Sequence, residues 1–411
     1  MSDGAQAAAS LHATAGVDPT TLYRTPNALA PHYSRFRVGE RLLLTGHSHQ
    51  AWPDRAFDGQ RAAFDDAALL VDEKWERAFA QAARVREGFA RLLGDRVGSL
   101  ALASSTHELL VRFLSALPLA KRPRIVTTDA EFHSARRQLD RLAEAGIELV
   151  RVAAAPAESA GERVAAAVDG RTAAAIVSTV FFTDAGIAGG LAAAAAACAR
   201  HGAELLLDAY HQLDVVPFSL AGLERAFVVG GGYKYCQLGE GNAFLRVPPG
   251  CRLRPVVTGW FAEFERLEEK ATGGVAYPDD PGARFNGATY DPTSHYRGAA
   301  VFDFFAEQGL TPELLREVSR HQRVVLCGAF DALDLPPALV DRDRATPAER
   351  FGGFVALRSP QAGAICAGLR EAGVLADHRG DVLRLGPAPY LADAQLEDAM
   401  ARLGDVARRL T

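Results

Sequence analysis

The chain has 411 residues, of which 48% are hydrophobic and 23% charged, with 45 basic against 50 acidic side chains for a formal net charge of −5. At about 100 to 200 residues per domain this excludes a single small module, and the composition excludes a chain too polar to build a core. A net negative charge with no basic patch standing out argues against nucleic acid or an anionic membrane as a partner.

In chain order, residues 1 to about 40 show weak periodicity, and RLLLTG (Arg41 to Gly46) reads as a short strand running into the polar turn HSHQAWPD. Residues 55 to 94 carry apolar positions at helical spacing, and RFLSAL (Arg112 to Leu117) continues a helix entered from Ser104 to Thr106. Apolar runs then recur at 124–128, 147–152, 173–180, 203–210, 225–231 and 243–247, several separated by helical stretches such as 190–201. Runs of that length between helices predict a mostly parallel sheet buried on both faces. After a loop region at about 273–292, helical patterns at 298–308, 311–333, 360–372 and 392–409 alternate with short strands at 354–358 and 381–386. The expected layout is α/β: a large domain over residues 45–285, a small α+β domain over 286–411, and residues 1–44 packed on the small one.

The most purely apolar stretch, Leu191 to Ala199, is far shorter than the roughly 20 residues that cross a bilayer. The start, MSDGAQAAAS, lacks the basic and leucine-rich regions of a secretion signal, so the cytoplasm is the expected compartment. Cys198, Cys236, Cys251, Cys327 and Cys366 form no CxxC pair, so reduced thiols and no metal site are expected.

In a parallel sheet, ligands gather where strands end at their carboxyl edge. AELLLDAYHQ places Asp208 and His211 at one such end, and RAFVVGGGYKY places Tyr233 and Lys234 at another, after Gly230 to Gly232. Only four of the 45 basic residues are lysine (Lys74, Lys121, Lys234 and Lys270), so one set in an apolar, glycine-rich run is unlikely surface filler. An acid on one strand end and a lysine on the next suit pyridoxal phosphate: the lysine binds the aldehyde, and the acid keeps the ring nitrogen protonated. Alone, Asp208 reads as a cap and Lys234 as a loop lysine; the pair in this order carries the chemistry. GGGYK lacks the spacing of a nucleotide-binding loop.

LLLDAYHQLDVVPFSL and AFVVGGGYKYCQLGEGNAFLRV resemble the cofactor segment of kynureninases, in the class V branch of fold type I pyridoxal-phosphate enzymes, and the resemblance is collinear from about residue 35 onward. It implies pyridoxal 5'-phosphate as cofactor and a homodimer with sites at the subunit boundary, to which Gly239 to Asn242 and Trp260 contribute across chains. By position it assigns the family's turn to Gly46, His47 and Ser48, a phosphate-contacting pair to Ser105 and Thr106, and the ring-stacking aromatic to Phe132. It further assigns DxxH to Asp208 and His211, the YK pair to Tyr233 and Lys234, and the phosphate-touching tryptophan to Trp260. Arg384 of LRLGPAP falls on the arginine that holds the substrate carboxylate, and Thr289 on the residue set against the substrate carbonyl. Each assignment has a plainer competitor: N-capping for Ser105 and Thr106, core packing for Phe132 and Trp260, and a structural ion pair for Arg384.

Two departures stand out. The family's acid three residues past the stacking aromatic is Ala135 here, and the first turn reads GHSHQ, so that His47 and His49, with Tyr290 and His295, set a more polar pocket. The activity implied is a pyridoxal-phosphate-dependent hydrolase of tryptophan catabolism, cleaving the Cβ–Cγ bond of L-kynurenine or a related γ-oxo amino acid into L-alanine and an acid such as anthranilate. Lys234, Tyr233 and Asp208 are the catalytic residues on this reading, and Arg384, Thr289, His47, Ser48 and His49 meet the substrate. The alternative is a class V aminotransferase or β-lyase acting on another small amino acid. A cysteine desulfurase would need a mobile cysteine loop, and no Ser/Gly-rich loop surrounds Cys327 or Cys366.

Overall fold

The computed structural model describes residues 17–95, 99–266 and 273–410. A short helix α1 (Thr20–Tyr23) and strand β1 (Leu42–Leu43) precede two long helices, α2 (Asp54–Leu70) and α3 (Lys74–Leu93). The sequence reads these as one helical stretch; the chain breaks it at Val71, whose backbone turns to φ 49°, and α3 ends on Gly94 in the left-handed conformation.

A seven-stranded sheet follows, ordered β2-β8-β7-β6-β5-β3-β4. Its strands are β2 (Ser99–Ala103), β3 (Arg124–Thr128), β4 (Glu148–Val152), β5 (Thr172–Ser178), β6 (Glu204–Asp208), β7 (Phe227–Gly231) and β8 (Ala243–Val247). Between them run α4 (Thr106–Ala116), α5 (His133–Glu144), α6 (Ala160–Ala167) and α7 (Leu191–His201). The five strands from β7 to β4 are parallel, β8 is antiparallel to both its neighbours, and β2 closes the edge. All seven residues of β5 are buried, as a central strand covered by helices on both faces requires. Strand β2 escapes the sequence reading because SLALA is short and small-sided; its pairing with β8, Leu100 opposite Arg246, is what makes it a strand.

Helix α8 (Thr293–Glu307) packs on α2 and α3, and α9 (Pro312–Asp331), capped by the Thr311 side chain, leads into the C-terminal part. There β9 (Asp341–Arg342), β10 (Val355–Arg358), β12 (Asp377–Arg379) and β13 (Val382–Leu385) form an antiparallel sheet ordered β12-β13-β10-β9, with α10 (Ala362–Glu371) against it and α11 (Asp393–Arg408) packed on α9 and α10. The N-terminal segment is tied to this part: β1 pairs in parallel with β11 (Val374–Leu375), and the Asn27 amide donates to the Pro389 carbonyl at 2.9 Å. Next to β1, Gly46 donates its N–H to the Gly386 carbonyl, and a Cβ there would meet the Pro387 carbonyl at 2.6 Å, so no larger residue fits the crossing. No helix among the described residues is long and apolar enough to cross a membrane.

Because β3, β5, β6 and β7 run the same way, the segments leaving their carboxyl ends meet at one edge: residues 131–133, 178–182, 208–211 and 231–234. That edge faces the hairpin of β12 and β13 and the turn at 46–49.

Candidate active site

Lys234 follows β7 directly and is buried, with Nζ 2.8 Å from His211 Nε2 and donating at 3.1 Å to the His47 carbonyl. Neither partner is an anion. Burial is the main reason, and the nearby Arg384 charge the second, that its pKa is brought down to about 7, against a weaker upward pull from Asp208. The amine therefore spends part of its time neutral near physiological pH, as a nucleophile or base must. Nζ lies 5.4 Å from the centre of the Phe132 ring and 5.6 Å from those of Tyr210 and Tyr233.

Asp208 ends β6 and accepts the Tyr210 N–H through Oδ1 at 2.9 Å, while Oδ2 has no hydrogen bond among the described residues. Burial raises its pKa, opposed by the Tyr210 N–H and by Lys234. His211 is buried and its pKa is pushed far down by burial and by Lys234, so a neutral ring presents Nε2 to the amine. Beside them Glu131 is buried: Oε1 accepts from Thr128 Oγ1 at 2.6 Å and Ser178 N at 3.2 Å, and Oε2 lies 2.6 Å from Ser178 Oγ.

The triple glycine is set by close packing. A Cβ on Gly231 would strike the Tyr210 ring at 2.6 Å, and on Gly230 and Gly232 the Phe244 and Leu238 side chains. The run makes room for neighbouring side chains beneath the lysine, and not for a ligand's approach.

Arg384, on β13, is buried and already paired. Its Nε donates to Asp377 Oδ1 at 2.9 Å, its Nη2 to Asp377 Oδ2 at 2.5 Å, and its Nη1 to the Phe182 carbonyl at 2.8 Å. The structural ion pair weighed from sequence is thus present, and it uses three of the five N–H groups, leaving one on each Nη. The Asp377 carboxyl is held well below its ordinary range: burial works against this, and His47 and Arg384 prevail.

His47, expected from sequence to meet the substrate, instead turns its ring to Asp377. It is fully buried, with Nε2 2.8 Å from Asp377 Oδ1, and burial lowers its pKa to about 4. The neutral ring donates from Nε2 to the carboxylate, which leaves Nδ1 as a bare acceptor against Gly386; that nitrogen has no hydrogen-bond partner. Its role is to help hold Asp377, and so Arg384. His49 is exposed, stacked 4.8 Å from Tyr233 and 3.5 Å from Glu240, and Ser48 Oγ lies 3.2 Å from His49 Nδ1.

Ser105 caps α4, its hydroxyl accepting the Glu108 N–H at 3.3 Å, and Thr106 is the first residue of that helix. Within one chain, Trp260 and Thr289 are not brought to Lys234. Trp260 is 45% exposed and packs on Phe261 and Phe264, and Thr289 lines a separate cavity of about 850 Å³ with Ser104, Glu240, Tyr290 and His295. His295 is buried there and bonded to Asn242 Oδ1 at 3.0 Å. Asp377, Glu131 and Phe182 were not found by sequence reasoning. A signal existed for Glu131, an acid beside the stacking aromatic; Asp377 becomes Arg384's neighbour only through the β12–β13 register.

Residues 338–403, which include Asp377 and Arg384, match the family model for the kynureninase C-terminal domain. The kynureninase of Deinococcus radiodurans is 33% identical over 222 residues, 52% of this chain and 51% of that protein, so the chain spans about half the length of this relative. Isopenicillin N epimerase of Streptomyces clavuligerus is 28% identical over 353 residues, 80% of this chain and 84% of the epimerase. Among solved structures, a C-DES variant with glycine covalently linked to its pyridoxal-phosphate cofactor superimposes with TM-score 0.77 at 18% identity, covering 91% of this chain and 98% of the other. The likeness shows a shared fold, that of fold type I enzymes.

Proposed function

We propose that this kynureninase-like chain, with the fold type I architecture of class V pyridoxal-phosphate enzymes, hydrolyses the Cβ–Cγ bond of L-kynurenine or a related γ-oxo amino acid, giving L-alanine and an acid such as anthranilate. The observation that carries the reading is Lys234: a buried amine with no anionic partner, at the carboxyl edge of the sheet, with the Asp208 carboxylate and the Arg384 guanidinium both near enough to shift its titration.

The residues present fit pyridoxal 5'-phosphate. Asp208 Oδ2 is uncommitted and suits a ring-nitrogen proton, Phe132 lies over the lysine amine, and Ser105 with Thr106 opens a helix whose first N–H groups suit a phosphate. When bound, that group supplies an aldehyde for covalent attachment and a protonated ring that takes up electrons. Lys234 then removes the substrate's Cα proton, a task matched to its lowered pKa. His211 and Tyr233 hold the cofactor's polar periphery, and Tyr233 shares in proton transfer. Arg384 offers its two remaining N–H groups to the substrate α-carboxylate while Asp377, His47 and the Phe182 carbonyl fix the guanidinium plane. His49 and Ser48, at the exposed rim, meet the substrate's far end. Water supplies the OH of the released acid and the proton balance of alanine.

We infer a homodimer, in which Trp260 and Thr289 of a second copy complete the phosphate and carbonyl contacts that one chain leaves open; Val256, 82% exposed, offers apolar surface for such a contact. A second reading, a class V aminotransferase or β-lyase on another small amino acid, draws support from the epimerase, which aligns over 80% of this chain where the kynureninase aligns over 52%. Incubation with L-kynurenine and a panel of amino acids, with products identified by mass spectrometry, tests the choice. Alanine and anthranilate in equal amounts support the hydrolase; a keto acid formed in a half-reaction, with no alanine from any γ-oxo amino acid, replaces it by the second reading. Borohydride should fix the cofactor on the peptide containing Lys234, and Lys234→Ala should abolish that label.

A further inference from the structure

Ala135 leaves the position of the family's second acid empty of charge, yet the structure puts another carboxyl in the neighbourhood. Glu131 follows the end of β3 and reaches across the carboxyl edge, joining two strands. Its Oε1 takes the Thr128 hydroxyl from β3 and the Ser178 N–H from β5, and its Oε2 meets the Ser178 hydroxyl. Ser178 is in turn the register partner of Asp208 across β5 and β6. Glu131 is 3% exposed and no basic side chain pairs with it among the described residues. A buried carboxylate without a cation is costly: burial, added to repulsion from Asp208 and opposed by the Ser178 and Thr128 bonds, raises its pKa to about 7 and favours the protonated form far more than in an ordinary glutamate. The contacts suit a neutral acid, with two donors on Oε1 and one 2.6 Å contact through which Oε2–H donates.

We propose that Glu131 is a positioning residue for Asp208: by clamping Thr128 and Ser178 it fixes the strand end that sets the Asp208 carboxylate against the cofactor's ring nitrogen, replacing the acid lost at Ala135. The proposal rests on the pyridoxal-phosphate reading above. Glu131 touches neither the lysine nor the substrate arginine; it acts through the Ser178–Asp208 strand pair.

The test uses the full-length holoenzyme and two readouts other than turnover: the apparent Kd for pyridoxal 5'-phosphate by equilibrium dialysis, and the resonance of its ring nitrogen when labelled with 15N. Glu131→Ala should raise Kd about tenfold, the loss expected for about one hydrogen bond of a neutral acid, and move the resonance toward neutral pyridine. Glu131→Gln, which keeps the shape and both hydrogen-bonding directions of a neutral acid, should hold Kd within about threefold and keep the resonance in place. If Glu131→Ala does not fold, Glu131→Asp withdraws the carboxyl by one methylene and is judged by the same thresholds. An unchanged Kd and resonance in the variant, with only its melting temperature lowered, would mean a purely structural clamp and overturn the proposal. Failure of the unaltered protein to take up the cofactor would instead overturn the functional reading itself.

Discussion

Replacing Arg384 with lysine separates two roles that the guanidinium combines. Three of its N–H groups hold Asp377 and the Phe182 carbonyl, and two remain for a ligand. A lysine ammonium keeps one contact to Asp377 and loses the second, together with the bond to Phe182. Losing one charge-assisted and one ordinary hydrogen bond costs about 2 to 4 kcal/mol of stability, a drop on the order of 5 °C in melting temperature. If the remaining N–H pair grips the α-carboxylate, losing that fork costs a further 1.5 to 3 kcal/mol in binding, roughly 10- to 150-fold in Kd. The assay pairs a thermal melt with a spectral titration of the cofactor-loaded protein by an amino acid. A lower melting temperature with an amino-acid Kd within twofold of the unaltered protein would refute the anchor and leave Arg384 a structural partner of Asp377. A weakened Kd with an unshifted cofactor spectrum supports it.

Lys234→Met should stabilise the cofactor-free protein most below pH 7. The folded-state pKa of about 7 lies under the ordinary 10.5, so between those values the unfolded chain binds a proton that the folded chain does not, and stability of the unaltered protein rises with pH across that window. Melting temperatures from pH 6 to 10 should therefore converge for the two proteins; parallel curves would contradict the burial of a neutral amine. Asp208→Asn should leave circular dichroism unchanged while losing most turnover, since an amide cannot hold a ring-nitrogen proton; retained activity would remove Asp208 from the site. Gly386→Ala should lower the melting temperature by several degrees, because its Cβ would stand 2.3 Å from His47 Nδ1 and must push the ring from Asp377, an overpacking cost of about 1 to 3 kcal/mol.

The sequence by itself determined what is written locally. Apolar runs between helices specify the central strands, and residues just past those runs lie at the carboxyl edge, so Asp208, His211, Tyr233 and Lys234 could be placed together before any coordinates. Helix starts such as Ser105 were equally legible, because an N-cap needs only its next three residues. Tertiary structure decided whatever depends on residues distant in the chain or across strands. Strand β2 exists through β8, 140 residues on at the Ala103–Ala243 step of the register, a pairing that no local pattern announces.

Asp377 meets Arg384 because β12 and β13 pair in one register, and a slip of one residue would turn the carboxylate to the opposite face. In sequence His47 reads as a pocket residue through its place in the GHSHQ turn. It is buried because the chain crosses Gly386 there and leaves no solvent beside the ring. Glu131 gains its partners only because β3 and β5 bring Thr128 and Ser178 to it. In each case the energy comes from desolvation and geometry that only the folded chain creates: burial makes a polar group find its partner, and strand register decides which partner lies within reach.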